Sequence, residues 1–259
     1  MRFDRSLKEW RKRRGFSQER LGFEARVSTR HIAFMETGRA QPSREMVIRL
    51  SEALDVPRNE RNHLLEAAGY AALYLARPIE AADTAHIVSG VKWMLERHEP
   101  FPAFAIDRHW KILLQNRVAE VLFGQLGLKI GDSILDAVLQ PLGLRQVIVN
   151  WTEMARYIAK RLSTEARALG GDVVLSHVAD QLLSEVGFGE QINAPFPAVL
   201  QTHYRIAGLD LSLFSTIAQF GSADDLTLAN IRIEYLFPAD ALTRLQLEQL
   251  ANNINRQDA

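Results

Sequence analysis

The chain has 259 residues, 47% of them apolar, with 9 prolines, 15 glycines and no cysteine, which excludes fibrous and disordered classes, disulfide scaffolds, thiolate metal sites and thiol nucleophiles. Its 31 Lys and Arg balance 31 Asp and Glu, yet residues 1–50 hold 13 basic against 6 acidic side chains, a surplus of seven. A basic head on an acidic body fits a polyanion-binding segment joined to a separate domain. No run of eighteen apolar residues occurs, and the first residues carry charge rather than an apolar signal core. The expectation is therefore a soluble, cytoplasmic protein with no membrane partner. Two domains are expected, over 1–76 and 84–259.

From Arg5 to Leu54 the pattern predicts four short helices. The first runs to about Arg14 with Leu7, Trp10 and Arg11 on one face, and Gly15 ends it. Ser17 caps a second helix, QERLGFEA; a tight turn at Arg26 and Val27 leads to Ser28, which caps a third, TRHIAFMET, closed by Gly38. Ser43 caps a fourth carrying Met46, Val47, Leu50 and Leu54 inward, and Ala25, Val27, Ile32 and Met35 complete a small core. Each serine suits its place because its hydroxyl accepts from free N–H groups of the first turn.

Two short helices joined by a tight turn, the second polar outside, fit the major groove of DNA. Thr29, Arg30, Ala33 and Phe34 are the early outward positions of the third helix. Arg30 can bond guanine twice, and Thr29 or Ala33 can touch a thymine methyl. Ser17, Gln18, Ser28, Arg39 and Ser43 sit at helix starts and loops, where phosphates are gripped. The basic run Arg11-Lys-Arg-Arg14 taken alone is equally a solvated helix face.

Leu64 to Tyr74 reads as a helix ending at Gly69 and a connecting segment, with the domain boundary at Arg77 to Asp83. Beyond it the pattern predicts a helix from Ala85 to Arg97, strands PAFAID and WKILLQ around a turn at Arg108-His109, and helices over Arg117–Leu126, Ser133–Leu139, Gln146–Leu169 and Val173–Val186. Strands VLQTHYRIA, DLSLFSTIAQF and TLANIRIEYLF follow, and a helix ADALTRLQLEQLAN closes the chain. Two strands, a helical insertion and three more strands describe an antiparallel sheet with helices crossing one face, an α+β layout.

The stretch Leu7 to Arg11, Gly15 to Leu21, Val27-Ser28, Ile32, Met35 to Gly38 and Pro42-Ser43 resembles the Cro and lambda-repressor type helix-turn-helix of the XRE family over residues 5–57. That resemblance implies that Gln18 fixes the DNA backbone, that Thr29 and Arg30 read bases, and that Arg11 pairs with Glu36. Two residues depart from it: Gly22 stands where alanine is usual and Arg26 where the turn usually has glycine. Asn116 to Gly124, following two strands, resembles the PAS sensor fold, with Asn116 as an N-cap. The wider arrangement is similar to the MmyB-like regulators: LLEAAGYA, His98 to Ala103, Ile106 to Arg108, Trp151 to Ala155, Leu213 to Ser215, Phe220-Gly221, Ile233-Glu234 and Phe237 to Asp240. It implies a PAS-like, ligand-binding C-terminal domain. Gln115 replaces a tryptophan that many members carry, and the Trp-x-x-His pattern is missing around Phe188 to Phe196.

Trp93, Phe104, Trp110, Trp151, Met154, Tyr157, His203, Tyr204 and Phe214 are the candidate ligand-site residues, for an apolar, fatty-acid-like small molecule, with Arg205 a further polar candidate. Bulky apolar residues at these periods equally form plain core. The alternative is therefore a C-terminal domain that only dimerises or contacts proteins; an antitoxin-like antidote is a third reading, disfavoured by the size of the body. A homodimer on double-stranded DNA is expected, because one small head makes few base contacts. The seven histidines stand singly, no phosphate loop, nucleophile elbow or dinucleotide fingerprint occurs, and Asp224-Asp225 reads as a turn, so neither an enzyme nor a resident cofactor is expected.

Overall fold

A computed structural model describes residues 2–74, 84–187, 199–220 and 226–257. The boundary expected at Arg77 to Asp83, the stretch Phe188 to Phe196, Gly221 and the Asp224-Asp225 pair lie outside the described residues. The chain divides into two compact units, the first centred on Met1–Ala76.

The first unit is a bundle of α1 (Phe3–Arg13), α2 (Gln18–Glu24), α3 (Thr29–Glu36), α4 (Arg44–Ala53) and α5 (Arg58–Ala67). Ser17, Ser28 and Ser43 accept from the backbone N–H of Arg20, His31 and Met46, so each expected cap forms. Leu7, Leu21, Ala25, Ile32 and Met35 are fully buried and pack with Trp10, Val47, Leu50, Leu54, Leu64 and Leu65. The last helix begins at Arg58, earlier than its apolar residues indicate, because Pro57 supplies an N-cap position with fixed φ. Gly69, with φ of +87°, follows its end.

The second unit holds, whole or for the most part, α6 (Ala85–Arg97), β1 (Ala103–Ile106), β2 (Ile112–Gln115), α7 (Arg117–Gly124), α8 (Ile134–Leu139), α9 (Trp151–Ala168), α10 (Val173–Val186), β3 (Thr202–Ile206), β4 (Leu209–Gln219), α11 (Leu226–Asn230), β5 (Arg232–Pro238) and α12 (Ala241–Gln257). The five strands form one antiparallel sheet in the order β2-β1-β5-β4-β3, so the helical insertion separates an early hairpin from a late meander, the expected α+β layout. Asn116 ties this together from a buried position. Its Oδ1 accepts from Ala103 and Ala119 N–H at 3.1 and 3.0 Å, and its Nδ2 donates to the Leu95 and Phe101 carbonyls at 3.1 and 2.8 Å. One amide thus joins the end of α6, the start of β1 and the start of α7.

Register fixes which residues share a face. Phe104 lies opposite both Gln115 and Glu234, Leu236 opposite Ser215, Leu213 opposite Thr202, and Leu211 opposite Tyr204, so these side chains share one face. Ala103, Ala105 and Ile233 lie on the other and form an apolar cluster with Val91 and Leu95 of α6. Helices therefore cover both faces, not one, since Met154 and Tyr157 of α9 stand over the first face.

Two element starts in the second unit differ from the sequence expectation by more than three residues. The helix expected from Gln146 begins at Trp151, because Val149 N–H donates to the His203 carbonyl and Arg205 N–H to the Val147 carbonyl; the chain here pairs with β3 before it coils. The strand expected from Thr227 begins at Arg232, because Leu226–Asn230 forms a turn of helix that places Leu228 in the α6 cluster.

Candidate nucleic-acid interface and ligand cavity

In the head, Thr29 and Arg30 are exposed at the start of α3, and Ala33 and Phe34 are half-buried one turn later. The Arg30 guanidinium stands 5.2 Å from the Phe34 ring centroid, so the ring steadies a long side chain that points to solvent. Arg39 is exposed in the loop after α3. Ser17, Ser28 and Ser43 use hydroxyl lone pairs as caps, which leaves each O–H able to donate.

The α1, α2 and α3 helices are locked by one polar network. Arg11 Nε and Nη2 donate to the two oxygens of Glu36 at 2.5 and 2.9 Å, and Arg11 Nη1 donates to the Phe16 carbonyl at 2.8 Å. Gln18 Nε2 donates to Glu36 Oε2 at 2.8 Å, an additional role the sequence does not announce. The Glu36 side chain is 2% exposed. Burial alone would raise its carboxyl, but the bonds from Arg11 and Gln18 and the Arg11 charge outweigh burial and hold it below its ordinary value. The Arg11 guanidinium is raised in turn, chiefly by its bond to Glu36.

Turn geometry accounts for the glycine at 22 and shows why glycine is usual at 26. Arg26 has φ of +55°, the left-handed conformation that glycine would adopt without strain. At Gly22 an added Cβ would lie 2.5 Å from the Val27 carbonyl oxygen, and that turn is closed by Val27 N–H donating to the Gly22 carbonyl at 2.7 Å. Glycine at 22 is required by close approach, not merely tolerated.

In the second unit a cavity of about 130 Å³ lies between the sheet and α9. Of the sequence-predicted residues, Met154, Tyr157 and Tyr204 line it. The other six do not. Trp93 is 58% exposed. Phe104 is buried against Phe123, 5.3 Å between centroids, and Trp151 donates from Nε1 to Glu185. His203 Nδ1 is bonded to Ser212 Oγ, and Phe214 stacks on Phe237. The candidate Arg205 is exposed and pairs with Asp210. Trp110 is buried beside the Arg161 guanidinium, 4.2 Å from its ring centroid.

The sequence candidates for the ligand site do not include the remaining lining residues, Leu200, Thr202, Leu213, Ser215, Glu234 and Leu236, with Val199, although Leu213, Ser215 and Glu234 stand in stretches that carry the MmyB-like resemblance. The available signal was Glu234 itself, a charged residue at an inward position of an otherwise apolar strand. Arg161 Nη1 bonds Glu234 Oε1 at 3.1 Å, both side chains being 14% exposed. Trp110, Arg161 and Glu234 thus form a stack that ends at the cavity wall. Thr202 Oγ1 donates to Met154 Sδ. Burial and the Glu234 charge push the Tyr204 hydroxyl above its ordinary value, a bond with Thr202 only partly offsetting them, so it stays protonated. On the opposite face of the sheet His98 sits among Phe101, Tyr235 and Phe237, and its Nε2 lies 2.9 Å from the Leu236 carbonyl, which fixes the proton on that nitrogen. Burial holds this imidazole below its ordinary value despite that bond.

No helix among the described residues is long and apolar enough to cross a membrane, and the same residues hold no metal-binding cluster. Comparison with curated proteins gives no match. Among solved structures the chain is similar to the PAS domain from Bordetella pertussis BvgS, at 12% identity over 66% of this chain and 98% of that one, with a TM-score of 0.30. It is also similar to an RNA-binding Light-Oxygen-Voltage receptor, at 11% identity over 98% of this chain and 63% of that one, with a TM-score of 0.26. A helix-turn-helix family model matches residues 7–60, and the model of the MmyB-like transcription regulator ligand binding domain matches residues 87–250. The chain belongs to the MmyB-like transcription regulators, with a DNA-binding helix-turn-helix head and a ligand-binding domain behind it.

Proposed function

We propose that this protein is a sequence-specific transcription regulator in which α3 reads base edges and the second unit binds a small amphipathic molecule that changes operator affinity. The observation that carries the reading is the outward start of α3: Thr29 and Arg30 exposed, Phe34 steadying Arg30, on a helix fixed by the Arg11–Glu36–Gln18 network. Arg30 supplies bidentate recognition of guanine, and Thr29 and Ala33 supply methyl contacts. Gln18, Ser17, Ser28, Arg39 and Ser43 hold phosphates, with Gln18 offering its remaining amide hydrogen.

The cavity supports the ligand half of the reading, because it combines apolar walls with a few polar groups that orient a guest. Its volume favours a compact ligand over the fatty-acid-like one that the sequence suggests. A ligand changes DNA binding only through unequal affinity for two arrangements of the protein. A second reading, a domain that serves for contact alone, is favoured by one observation: Trp93, Leu242 and Leu245 are all more than half exposed.

Selection of bound duplexes from a random pool tests the DNA half. The expected outcome is a two-fold symmetric motif with half-sites about 34 Å apart, bound by a homodimer. A pool that shows no enrichment, or a motif bound by a monomer in sedimentation, contradicts it.

A further inference from the structure

The cavity wall has a chemistry of its own. Thr202 Oγ1 donates to Met154 Sδ at 3.2 Å. Glu234 gives Oε1 to Arg161 at 3.1 Å, while its Oε2 has no hydrogen-bond partner among the described residues. The Ser215 hydroxyl, on the neighbouring strand beside Glu234, likewise has none among them, and Ser215 and Glu234 both line the cavity. Among the described residues no lysine or arginine lines it; the Arg161 guanidinium turns its Nη1 toward the Glu234 carboxylate. A bound carboxylate would therefore meet Glu234 with no cation on the wall, at a cost that grows in low dielectric. A hydroxyl or ammonium would complete the free Glu234 oxygen.

Size narrows the class further. A cavity of about 130 Å³ is close to one that encloses a benzene molecule, about 150 Å³, and below the several hundred Å³ usual for drug-sized ligands. An acyl chain of ten or so carbons does not fit it, whereas a single ring with a one-carbon arm does.

We propose that the cavity between α9 and the sheet is a site for a small ring-sized amphipathic molecule bearing a hydrogen-bond donor, an alcohol or amine, which Glu234 and Ser215 receive. This rests on the ligand-sensing reading above and names its ligand class. It assigns Trp110 and Arg161 as positioning residues: the ring holds the guanidinium and the guanidinium orients the Glu234 carboxylate.

Calorimetry and thermal melting of the full chain with benzyl alcohol, benzylamine, benzoate and decanoate test it. Benzyl alcohol and benzylamine are expected to bind saturably, one per chain, at least tenfold more tightly than benzoate or decanoate. Glu234→Gln is expected to weaken benzylamine tenfold or more while narrowing the deficit of benzoate. Because Glu234→Gln also leaves Arg161 without its carboxylate and could disturb the fold, Ser215→Leu, which fills the cavity from the adjacent strand, is the second variant; it should abolish binding of all four probes while melting stays cooperative. Tighter binding of benzoate or decanoate overturns the donor class and leaves a ligand-sensing domain standing. Binding that survives Ser215→Leu overturns the location. If none of the four binds, the site and its ligand class both fall, whereas operator selection by the head is read independently.

Discussion

Arg26 and Gly22 show how a short turn sets residue choice against helix propensity. Propensity alone would make Gly22→Ala stabilising by about 1 kcal/mol, yet the added methyl meets the Val27 carbonyl oxygen at 2.5 Å. We expect the clash to prevail and Gly22→Ala to cost about 2 kcal/mol in denaturant unfolding of the full chain. At Arg26 the order reverses. Relief of a left-handed φ is worth about 1 kcal/mol, less about 0.5 kcal/mol for the freer unfolded chain, so Arg26→Gly should raise stability by about 0.5 kcal/mol; a fall would show that the Arg26 side chain makes a compensating contact. Glu36 sets the response of the head to acid. Its carboxyl is lowered from 4.5 in the folded state, so its contribution is whole above that value and is lost as pH falls through the lowered one. Glu36→Ala, which leaves Arg11 buried without its partner, should cost about 3 kcal/mol at neutral pH. It should also flatten the acid limb of the stability curve. A double-mutant cycle with Arg11→Ala should show coupling, and its absence would refute the network.

Among elements, those with a chemical punctuation mark were legible and those governed by distant pairing were not. Ser17, Ser28 and Ser43 announce α2, α3 and α4, and each caps as its position implies. Ala85 to Arg97 and Val173 to Val186 carry periodic apolar residues, and both helices form over those spans. The start of α9 was not legible, because Val147 and Val149 bond to β3, more than fifty residues later in the chain. The helical turn at Leu226–Asn230 was missed for a similar reason: a β-rich sequence was overruled by burial of Leu228. Asn116 was readable as an N-cap, but not as a four-bond junction. Its replacement by alanine removes four buried hydrogen bonds, of whose partners the Leu95 carbonyl keeps another, from His98 N–H, and we expect Asn116→Ala to cost about 3 kcal/mol. Unfolding midpoints of the wild type and variant measure this; a loss of about 1 kcal/mol, as for a simple cap, would contradict the junction role.

Over the whole molecule, the charge division visible in the sequence maps onto a basic helical unit and an acidic sheet unit. The family and the fold class were legible because helix starts, inward apolar positions and the strand count are local signals. The cavity was only partly so. Met154, Tyr157 and Tyr204 were within reach of an aromatic-content argument, whereas Glu234, Ser215 and Thr202 meet across three strands whose register no local pattern states. Aromatic content also pointed to Trp93 and Phe214, which the sheet and α6 place away from that cavity. On the DNA side, the proposed division of labour has the exposed start of α3 read sequence while Gln18 and the capping serines only hold the backbone. The direct test is the affinity of the full chain and of Arg30→Ala for the enriched duplex and for a random duplex, at one salt concentration. Arg30→Ala should lose about 1 to 3 kcal/mol on the enriched duplex and almost nothing on the random one. Equal loss on both would contradict it, because Arg30 would then be a phosphate contact and base reading would lie elsewhere.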